Sequence, residues 1–394
     1  MSPVATCPYT VVRDPDAVRE VLHRPDDFSP ANALLAATPL SGQALRVLQK
    51  ARFALPPVLA SNATASHGGI RKLVAGFFTP AKVSAMEPRI RGLARESATA
   101  ASRSLADHGA VDLVQAVAAL PPAIVMLEML GLPVRDLPRL KAWSVDSLEL
   151  FWGWPDPERQ LELAHSAAEF YAWLRELVLE GVAQPGPSNL FKALADHGLG
   201  TEEICSLGYF LLIAGQETTT QLISTTLFRL LEGSRGMTWE EASSGIKARD
   251  MVRHILATES SVPTWRRVAS RDTELGGEAI RAGEEILVEL TGNHGFPWAG
   301  DRSGTGDSTS AGDGGGRPGP TPYGLAFGSG IHRCLGAKLA ELEAAVVVQE
   351  TAAALKGARL HDPAPEWLRL LSFQAPRTVT VVGARTADAA SPPG

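Results

Sequence analysis

The chain has 394 residues, of which 45% are hydrophobic and 20% charged, and its formal net charge is −6. This composition is that of a folded globular protein, and it excludes a disordered or collagen-like chain. The negative net charge, without a dense Lys/Arg stripe interleaved with aromatic residues, argues against nucleic acid as a partner.

The sequence predicts neither export nor a membrane span. The first twelve residues lack a basic segment followed by an apolar one. The most apolar later stretches, 110–132 and 207–215, are interrupted or too short to cross a bilayer. Three cysteines, Cys7, Cys205 and Cys334, are too few for a disulfide framework and suit a reducing compartment. We therefore expect a cytoplasmic protein.

Hydrophobic periodicity predicts a mainly α-helical fold with a small sheet. Apolar residues at spacings of three and four mark helices at 85–105, 111–131, 160–181, 203–232 and 336–355. Alternating or β-branched runs predict strands at 8–12, 286–291 and 377–382. The segment from Gly295 to Gly324 is rich in Gly, Ser, Asp and Pro, which predicts a long irregular loop. Because this loop separates a strand from a helix, we expect one domain over 1–394.

His67 and Arg71 stand one turn apart in a helical segment, so both side chains would face a single anion. An arginine contact to a carboxylate is among the stronger charge-assisted hydrogen bonds. A solvated basic end of a helix would give the same spacing.

Residues 211–220 read LLIAGQETTT within a helical pattern. Glycine costs about 1 kcal/mol in a helix interior. The missing side chain of Gly215 would let a ligand approach the backbone, or let the helix open locally to admit water. Glu217 and Thr218 would form an acid–alcohol pair suited to general acid catalysis. Taken alone, the Glu-Thr-Thr run is more typical of a polar helix face.

Residues 327–336 read FGSGIHRCLG and run directly into a helical pattern. The three glycines of this segment permit a tight backbone and the close approach of a flat group. A thiolate at the start of a helix is stabilised by the helix dipole and by free N–H groups, which lower its pKa and suit it to hold a metal. A lone cysteine is usually a small buried hydrophobe, which is our interpretation of Cys7 and Cys205.

The 327–336 segment resembles the haem loop of the cytochrome P450 superfamily, F-x-x-G-x-[HR]-x-C-x-G. The specified positions are met by Phe327, Gly330, His332, Cys334 and Gly336. The 211–220 segment resembles the family's oxygen-activating helix through Ala214, Gly215, Glu217 and Thr218. The resemblance covers nearly the whole chain. Within the superfamily, the chain looks most like a soluble bacterial member. It implies a cytochrome P450 fold, with haem between that helix and the helix after the Cys loop.

The resemblance also implies the cofactor, haem b, and the residues that hold it. Cys334 would be the axial iron ligand, and its thiolate would favour cleavage of the O–O bond. Phe327 would pack beside the sulfur. The propionates would contact His67, Arg71, His332 and Arg267, with Arg266 as the rival of Arg267. Glu217 and Thr218 would relay protons to the reacting oxygen.

One element of the family is missing from the sequence. The family carries E-x-x-R on the helix before ESSVPTWRRVA, and here His254 and Ala257 stand at those two places. Arg253 and Glu259 are in the wrong register, because a shift of one residue turns a side chain by about 100° around a helix. The family's meander coincides with the Gly-rich segment, where Arg302 is a loose candidate. Either other contacts replace this ion network, or the protein has lost stability or activity relative to its relatives. Buried ion pairs can be exchanged for other packing at little net cost, so we favour replacement.

The leading functional hypothesis is an O2-dependent monooxygenase that hydroxylates a small organic compound of the secondary-metabolite type. A ferredoxin and its reductase would supply electrons, and Arg333 and Lys338 would meet an acidic ferredoxin unless they are simply solvated charges. The alternatives are a peroxide-driven or unusual haem reaction such as coupling or rearrangement, and a non-catalytic partner protein. By family position the substrate pocket comprises Leu55–Ala60, Phe151, Trp152, Trp154, Ile213, Ala214, Thr264 and Trp265.

Overall fold

The computed structural model describes residues 8–185, 189–233, 236–291 and 323–383. The α-helices in these ranges are α1 (Pro15–His23), α2 (Gly42–Lys50), α3 (His67–Ala75), α4 (Pro80–His108), α5 (Leu120–Met129), α6 (Leu137–Trp152), α7 (Pro157–Ala183), α8 (Leu190–Asp196), α9 (Thr201–Glu232), α10 (Gly245–Glu259) and α11 (Ala337–Ala354). The predicted Gly-rich loop lies outside the described residues except for Tyr323 and Gly324, and Arg302 and Cys7 lie outside them too.

The strands are short and form small sheets. They are β1 (Thr10–Val12), β2 (Phe28–Ser29), β3 (Ala110–Asp112), β4 (Thr264–Ala269), β5 (Thr273–Leu275), β6 (Glu278–Ile280), β7 (Glu285–Glu289), β8 (Arg359–Leu360), β9 (Trp367–Arg369), β10 (Gln374–Pro376) and β11 (Thr380–Val382). The largest sheet described has the order β1-β7-β4-β2, in which β1 runs parallel to β7 and the other pairs are antiparallel. The remaining sheets are β3-β11-β8, β10-β9 and β5-β6.

Helix α9 is the central element of the fold. It is buried on nearly all sides, as expected of a helix surrounded by other elements. It packs against α5, α6, α7, α10 and α11. At its start the backbone N–H of Gly200 donates to Glu203 at 2.9 Å, and at its end Gly233 adopts a left-handed φ of 72°. This helix was predicted over 203–232 and places 214–218 near its middle.

The prediction of a single helix over 111–131 is wrong. The segment instead contains β3, a short π-helical turn over Val114–Ala118, and then α5. Asp112 ends the strand because its carboxylate accepts hydrogen bonds from the backbone N–H groups of Val114, at 3.0 Å, and Val379, at 2.8 Å. Pairing of β3 with β11 therefore overrides the local periodicity. Helix α6, which the periodicity did not reveal, follows directly.

Helix α11 carries the chain away from the predicted Cys loop and packs against α4, α10 and α9. Most of its side chains are buried, and they include two carboxylates, Glu341 and Glu343. Glu343 is 1% exposed, and its Oε1 atom has no hydrogen-bond partner among the described residues. Burial raises the pKa of Glu343 to about 8. No described helix is both long enough and apolar enough to cross a membrane.

Glu343→Gln is expected to stabilise the protein increasingly as the pH rises from about 4.5 to 8. In this range the folded chain keeps the Glu343 proton that the unfolded chain releases, so the wild type loses stability with rising pH. At pH 7 the pH lies about 2.5 units above the unfolded-state pKa of Glu343. The free energy of unfolding of the variant should then exceed that of the wild type by at most about 3 kcal/mol. Urea unfolding of both proteins at pH 5 and pH 8 measures it. If the variant and the wild type differ in free energy of unfolding by the same amount at pH 5 and pH 8, Glu343 is not buried in its protonated form.

Candidate active site

A cavity of about 250 Å³ lies between the middle of α9 and the segment that leads into α11. Nine of the sequence-predicted site residues line it: Arg71, Ala214, Gly215, Thr218, Arg267, Phe327, His332, Cys334 and Gly336. Residues far apart in the sequence therefore meet around one space. His67 and Glu217 do not line this cavity.

The loop before α11 is fixed by its packing on the end of α1. Gly330 has a left-handed φ of 68°, and a Cβ atom there would collide with the carbonyl oxygen of Leu22. Next to this contact, His23 Nε2 and Ser329 Oγ are 2.7 Å apart. The backbone N–H of Cys334 donates to the carbonyl oxygen of Phe327 at 2.9 Å, which closes the loop. These contacts place the Cys334 sulfur at the start of α11.

The Cys334 thiol lies deep in the protein and reaches open space through the cavity, so its accessible surface does not mean exposure on the outer surface. Burial raises its pKa. The backbone N–H groups of Gly336 and Ala337 and the charges of Arg71 and Arg333 oppose that rise without reversing it. The predicted lowering of the thiol pKa is therefore wrong for the free side chain, because desolvation outweighs the helix start. A coordinated metal ion deprotonates a thiol outright, so the raised pKa does not prevent ligation.

Two arginines and two histidines lie together at one side of the cavity, and the two guanidinium groups make it a cationic region. Among the described residues, neither Arg71 nor Arg267 forms a salt bridge. Burial lowers the pKa of Arg267 to about 10 and also lowers that of Arg71. Buried charges are normally paired, so this region has the chemistry of an anion-binding site.

The two histidines are adjacent, with ring centroids 4.8 Å apart. His332 Nε2 is 2.8 Å from the carbonyl oxygen of Asn62, whereas His332 Nδ1 and His67 Nε2 are buried without a hydrogen-bond partner among the described residues. Burial lowers the pKa of His332 to about 4 and also lowers that of His67. Arg71 and Arg267 donate to the backbone carbonyls of Arg333, at 2.5 Å, and Arg266, at 2.8 Å, but have no carboxylate partner among the described residues. With the two orphaned histidine nitrogens, they fit a ligand that carries two carboxylates, as haem does.

The contacts of the two neighbouring arginines of β4 show which of them faces the cavity. Arg267 lines the cavity, whereas Arg266 Nη2 donates to the backbone carbonyls of Ala33, at 3.4 Å, and Leu35, at 2.5 Å. Arg266 therefore holds the 33–35 segment in place.

The predicted acid and alcohol of α9 lie in different surroundings. Thr218 lines the cavity, and its hydroxyl donates to the carbonyl oxygen of Ala214 at 2.7 Å. Glu217 is 3% exposed and pairs with Lys141 of α6, with Oε1 and Nζ 2.5 Å apart. The acid and the alcohol expected to act together thus have different neighbours. The missing side chain of Gly215 makes room for the thioether of Met126, which explains the helix-interior glycine without a ligand.

Comparison with known proteins decides the family. No family model matches the chain. A putative cytochrome P450, YjiB of Bacillus subtilis, is 32% identical over 293 residues, which cover 72% of this chain and 69% of that protein. The erythromycin C-12 hydroxylase of Saccharopolyspora erythraea is 31% identical over 294 residues, covering 72% and 69%. The chain belongs to the cytochrome P450 family.

Solved structures agree with this assignment. The cytochrome P450 CREJ in complex with (4-ethylphenyl) dihydrogen phosphate superposes with a TM-score of 0.82 at 27% identity, covering 97% of this chain and 94% of that one. The predicted fold class is therefore confirmed, and the chain is a cytochrome P450 monooxygenase with a haem cofactor and a small-molecule substrate. The assignment to a single domain and the roles of individual site residues stay predictions.

The cytochrome P450 cavity has a mostly apolar wall that the sequence revealed only in part. Of the predicted pocket residues, Leu59, Ala60, Trp152, Ile213, Ala214 and Trp265 line it. The prediction is wrong for the rest of the range, Leu55–Val58, and for Thr264, Phe151 and Trp154. Thr264 donates to the carbonyl oxygen of Leu371 at 2.5 Å, Phe151 packs on Phe53, and Trp154 is 47% exposed. The residues that sequence reasoning missed include Met126, Phe210, Val262 and Phe373. Phe210 lies one turn before Ala214, so the helical period could have found it.

At the expected place of the E-x-x-R pair, His254 and Ala257 lie on the exposed side of α10. The two residues dismissed for their register are instead joined to neighbouring helices. Arg253 Nε is 2.7 Å from Glu341 Oε1 of α11, and Arg229 of α9 pairs with Glu259 at 2.5 Å. Helix α10 is therefore fixed by ion pairs between helices rather than within one helix.

Proposed function

We propose that this cytochrome P450 holds haem b through Cys334 and hydroxylates a small organic compound, of the secondary-metabolite type, with O2. The observation that supports this best is the cavity itself, in which a thiol at a helix start, an unpaired cationic region and Thr218 surround one space. When bound, the haem supplies the activation of O2, and the protein supplies orientation and electrostatics. The chain would act as one domain in the cytoplasm.

In this proposal the chain holds the haem at three places. Cys334 Sγ binds the iron, and Phe327 packs beside it. Gly336 lines the same cavity beside the sulfur and would leave room there for a flat group. The propionates meet the cationic region of Arg71, Arg267, His67 and His332, whose desolvated charges and orphaned nitrogens gain hydrogen-bond partners.

The substrate would lie against the apolar wall beside α9. Trp152, Trp265 and Phe373 contact one another, with the Trp152 and Phe373 ring centroids 5.0 Å apart and those of Trp265 and Phe373 6.3 Å apart. This wall excludes water and orients an uncharged molecule mainly through shape. The name of the relative that hydroxylates erythromycin supports hydroxylation as the reaction.

Proton delivery would use Thr218, whose hydroxyl lies on the cavity surface of α9. Glu217 is the adjacent acid, and its carboxylate must turn away from Lys141 before it can pass a proton toward the cavity. Electrons would come from a ferredoxin and ferredoxin reductase. Lys338 is exposed next to the ligand loop, where an acidic partner protein would approach, and Arg333, which also lines the cavity, is exposed beside it.

The reduced carbon monoxide spectrum of the purified protein tests the haem assignment. We expect the thiolate type, and a histidine type would overturn the assignment of Cys334. Turnover of candidate substrates with a ferredoxin and its reductase, compared with turnover with peroxide, tests the source of oxidant. Product formation with peroxide alone would favour the peroxide-driven alternative.

Thr218→Val is expected to lower the rate of product formation by about 100-fold, the low end of what general acid–base groups contribute. Valine keeps the shape of threonine and removes only the hydroxyl. Thr226→Val is the matched control, because Thr226 is buried on the same helix and makes the same bond to a preceding carbonyl, at 2.7 Å, away from the cavity. Equal rates of product formation by the two variants would contradict a role of Thr218 in proton delivery.

A further inference from the structure

Three residues link α10, α11 and the start of the ligand loop. Arg253 of α10 contacts Oε1 of Glu341 on α11, and the hydroxyl of Tyr323 donates to Oε2 of the same carboxylate. Both oxygens of Glu341 are thus used by donors from separate segments. We call Arg253, Glu341 and Tyr323 the proximal network.

The proximal network continues into the Cys334 loop. The Tyr323 ring packs edge-on against Phe327, with centroids 5.3 Å apart and an interplanar angle of 81°. Phe327 lines the cavity, and its carbonyl oxygen accepts the hydrogen bond from the Cys334 backbone N–H. Glu341 is therefore linked to the Cys334 loop through two contacts, the hydrogen bond from Tyr323 and the packing of Tyr323 on Phe327.

The burial of the network makes it more than a surface ion pair. The side chain of Glu341 is 9% exposed, whereas that of Arg253 is 39% exposed. A carboxylate this buried depends on its partners, since breaking such a pair from one side leaves an uncompensated charge. Exposed pairs of the same kind contribute little. Because Glu341 is the shared acceptor, its loss would free the side chains of both Arg253 and Tyr323.

We propose that Arg253, Glu341 and Tyr323 are positioning residues that hold the Cys334 loop against the haem, in place of the ion pair that the family would carry at 254 and 257. The inference rests on the proposed haem site and adds residues that no motif of the sequence marks. The network acts through Phe327 and does not touch the reacting atoms.

The test compares Glu341→Gln, Arg253→Met, Arg253→Lys and Tyr323→Phe with the wild type in the holoenzyme. We expect Glu341→Gln and Arg253→Met to lose haem to an excess of apomyoglobin roughly tenfold faster, as expected for loss of a partner beyond the ligand itself. Both should also show a larger non-thiolate fraction in the reduced carbon monoxide spectrum. Arg253→Lys, which keeps the charge, should restore most of the thiolate signal. Tyr323→Phe keeps the ring on Phe327 and should have a smaller effect.

Glu128→Gln is the matched control, because Glu128 forms an inter-helix ion pair with Arg89, at 2.8 Å, that does not contact the ligand loop. It should leave haem loss and the spectrum unchanged. Wild-type haem loss and spectrum in Glu341→Gln, or the same changes in Glu128→Gln, would overturn the proposal. A wild type without a thiolate spectrum would instead overturn the haem site itself, so the two failures are distinguishable.

Discussion

Cys334→Ala will abolish the thiolate-type carbon monoxide spectrum and lower substrate oxidation by more than about 100-fold, because loss of partners beyond a metal ligand already costs 10- to 100-fold. The reason lies in the position of the sulfur. Of the two cysteines in the described residues, Cys334 lines the cavity and Cys205 does not, and the Cys334 loop packs on α1 at Gly330 before it leads into α11. Alanine leaves this backbone intact and removes only the ligand.

The matched control is Cys205→Ala. Cys205 is fully buried on α9 away from the cavity, and burial raises its thiol pKa to about 11, as expected for an inert core residue. Its removal should cost stability but leave the spectrum of the folded protein unchanged. Spectra that change with Cys205 and not with Cys334 would refute the assignment of the ligand.

The sequence predicted the parts of the site that depend on local pattern. The loop from Phe327 to Gly336 and the middle of α9 combine fixed spacings with a clear helical period, and both lie at the described cavity. Helix α9 itself was predicted to within two residues, because a long periodic segment with a glycine at its end gives strong local signals.

Features set by tertiary contacts could not be predicted in this way. Arg266 and Arg267 are neighbours on β4 and point in different directions, so only the register of the sheet tells which one faces the cavity. Likewise, Glu217 looked like half of a pair with Thr218, but its real neighbour is Lys141, 76 residues away.

The replacement for the missing E-x-x-R pair was also invisible to local reasoning. Arg253 and Glu341 are 88 residues apart, and neither belongs to a pattern that the family resemblance marks. The sequence showed that His254 and Ala257 cannot form an ion pair, and the packing of α10 on α11 supplies another. Such exchanges are physically reasonable, because a buried ion pair contributes little net stability over well-packed alternatives.

Lys141→Met is expected to destabilise the protein by about 3–5 kcal/mol, the cost of leaving one member of a buried ion pair alone. The side chains of Glu217 and Lys141 are only 4% and 13% exposed, and Lys141 Nζ also donates to Thr220 at 3.2 Å. Without the lysine, the Glu217 carboxylate stays buried without its cation. Urea unfolding measures the change. Asp196→Asn breaks the more exposed pair with Lys192 and should cost less than about 1 kcal/mol.

The double variant Lys141→Met/Glu217→Gln separates folding from catalysis. With both charges removed, most of the lost stability should return, because a buried pair is often replaceable by neutral groups at little cost. If the Glu217 carboxylate also delivers protons beside Thr218, this restored protein should still form product about 100-fold more slowly than the wild type. A double variant that is stable and fully active would show that Glu217 serves only to join α9 to α6, and proton delivery would then rest on Thr218 without it.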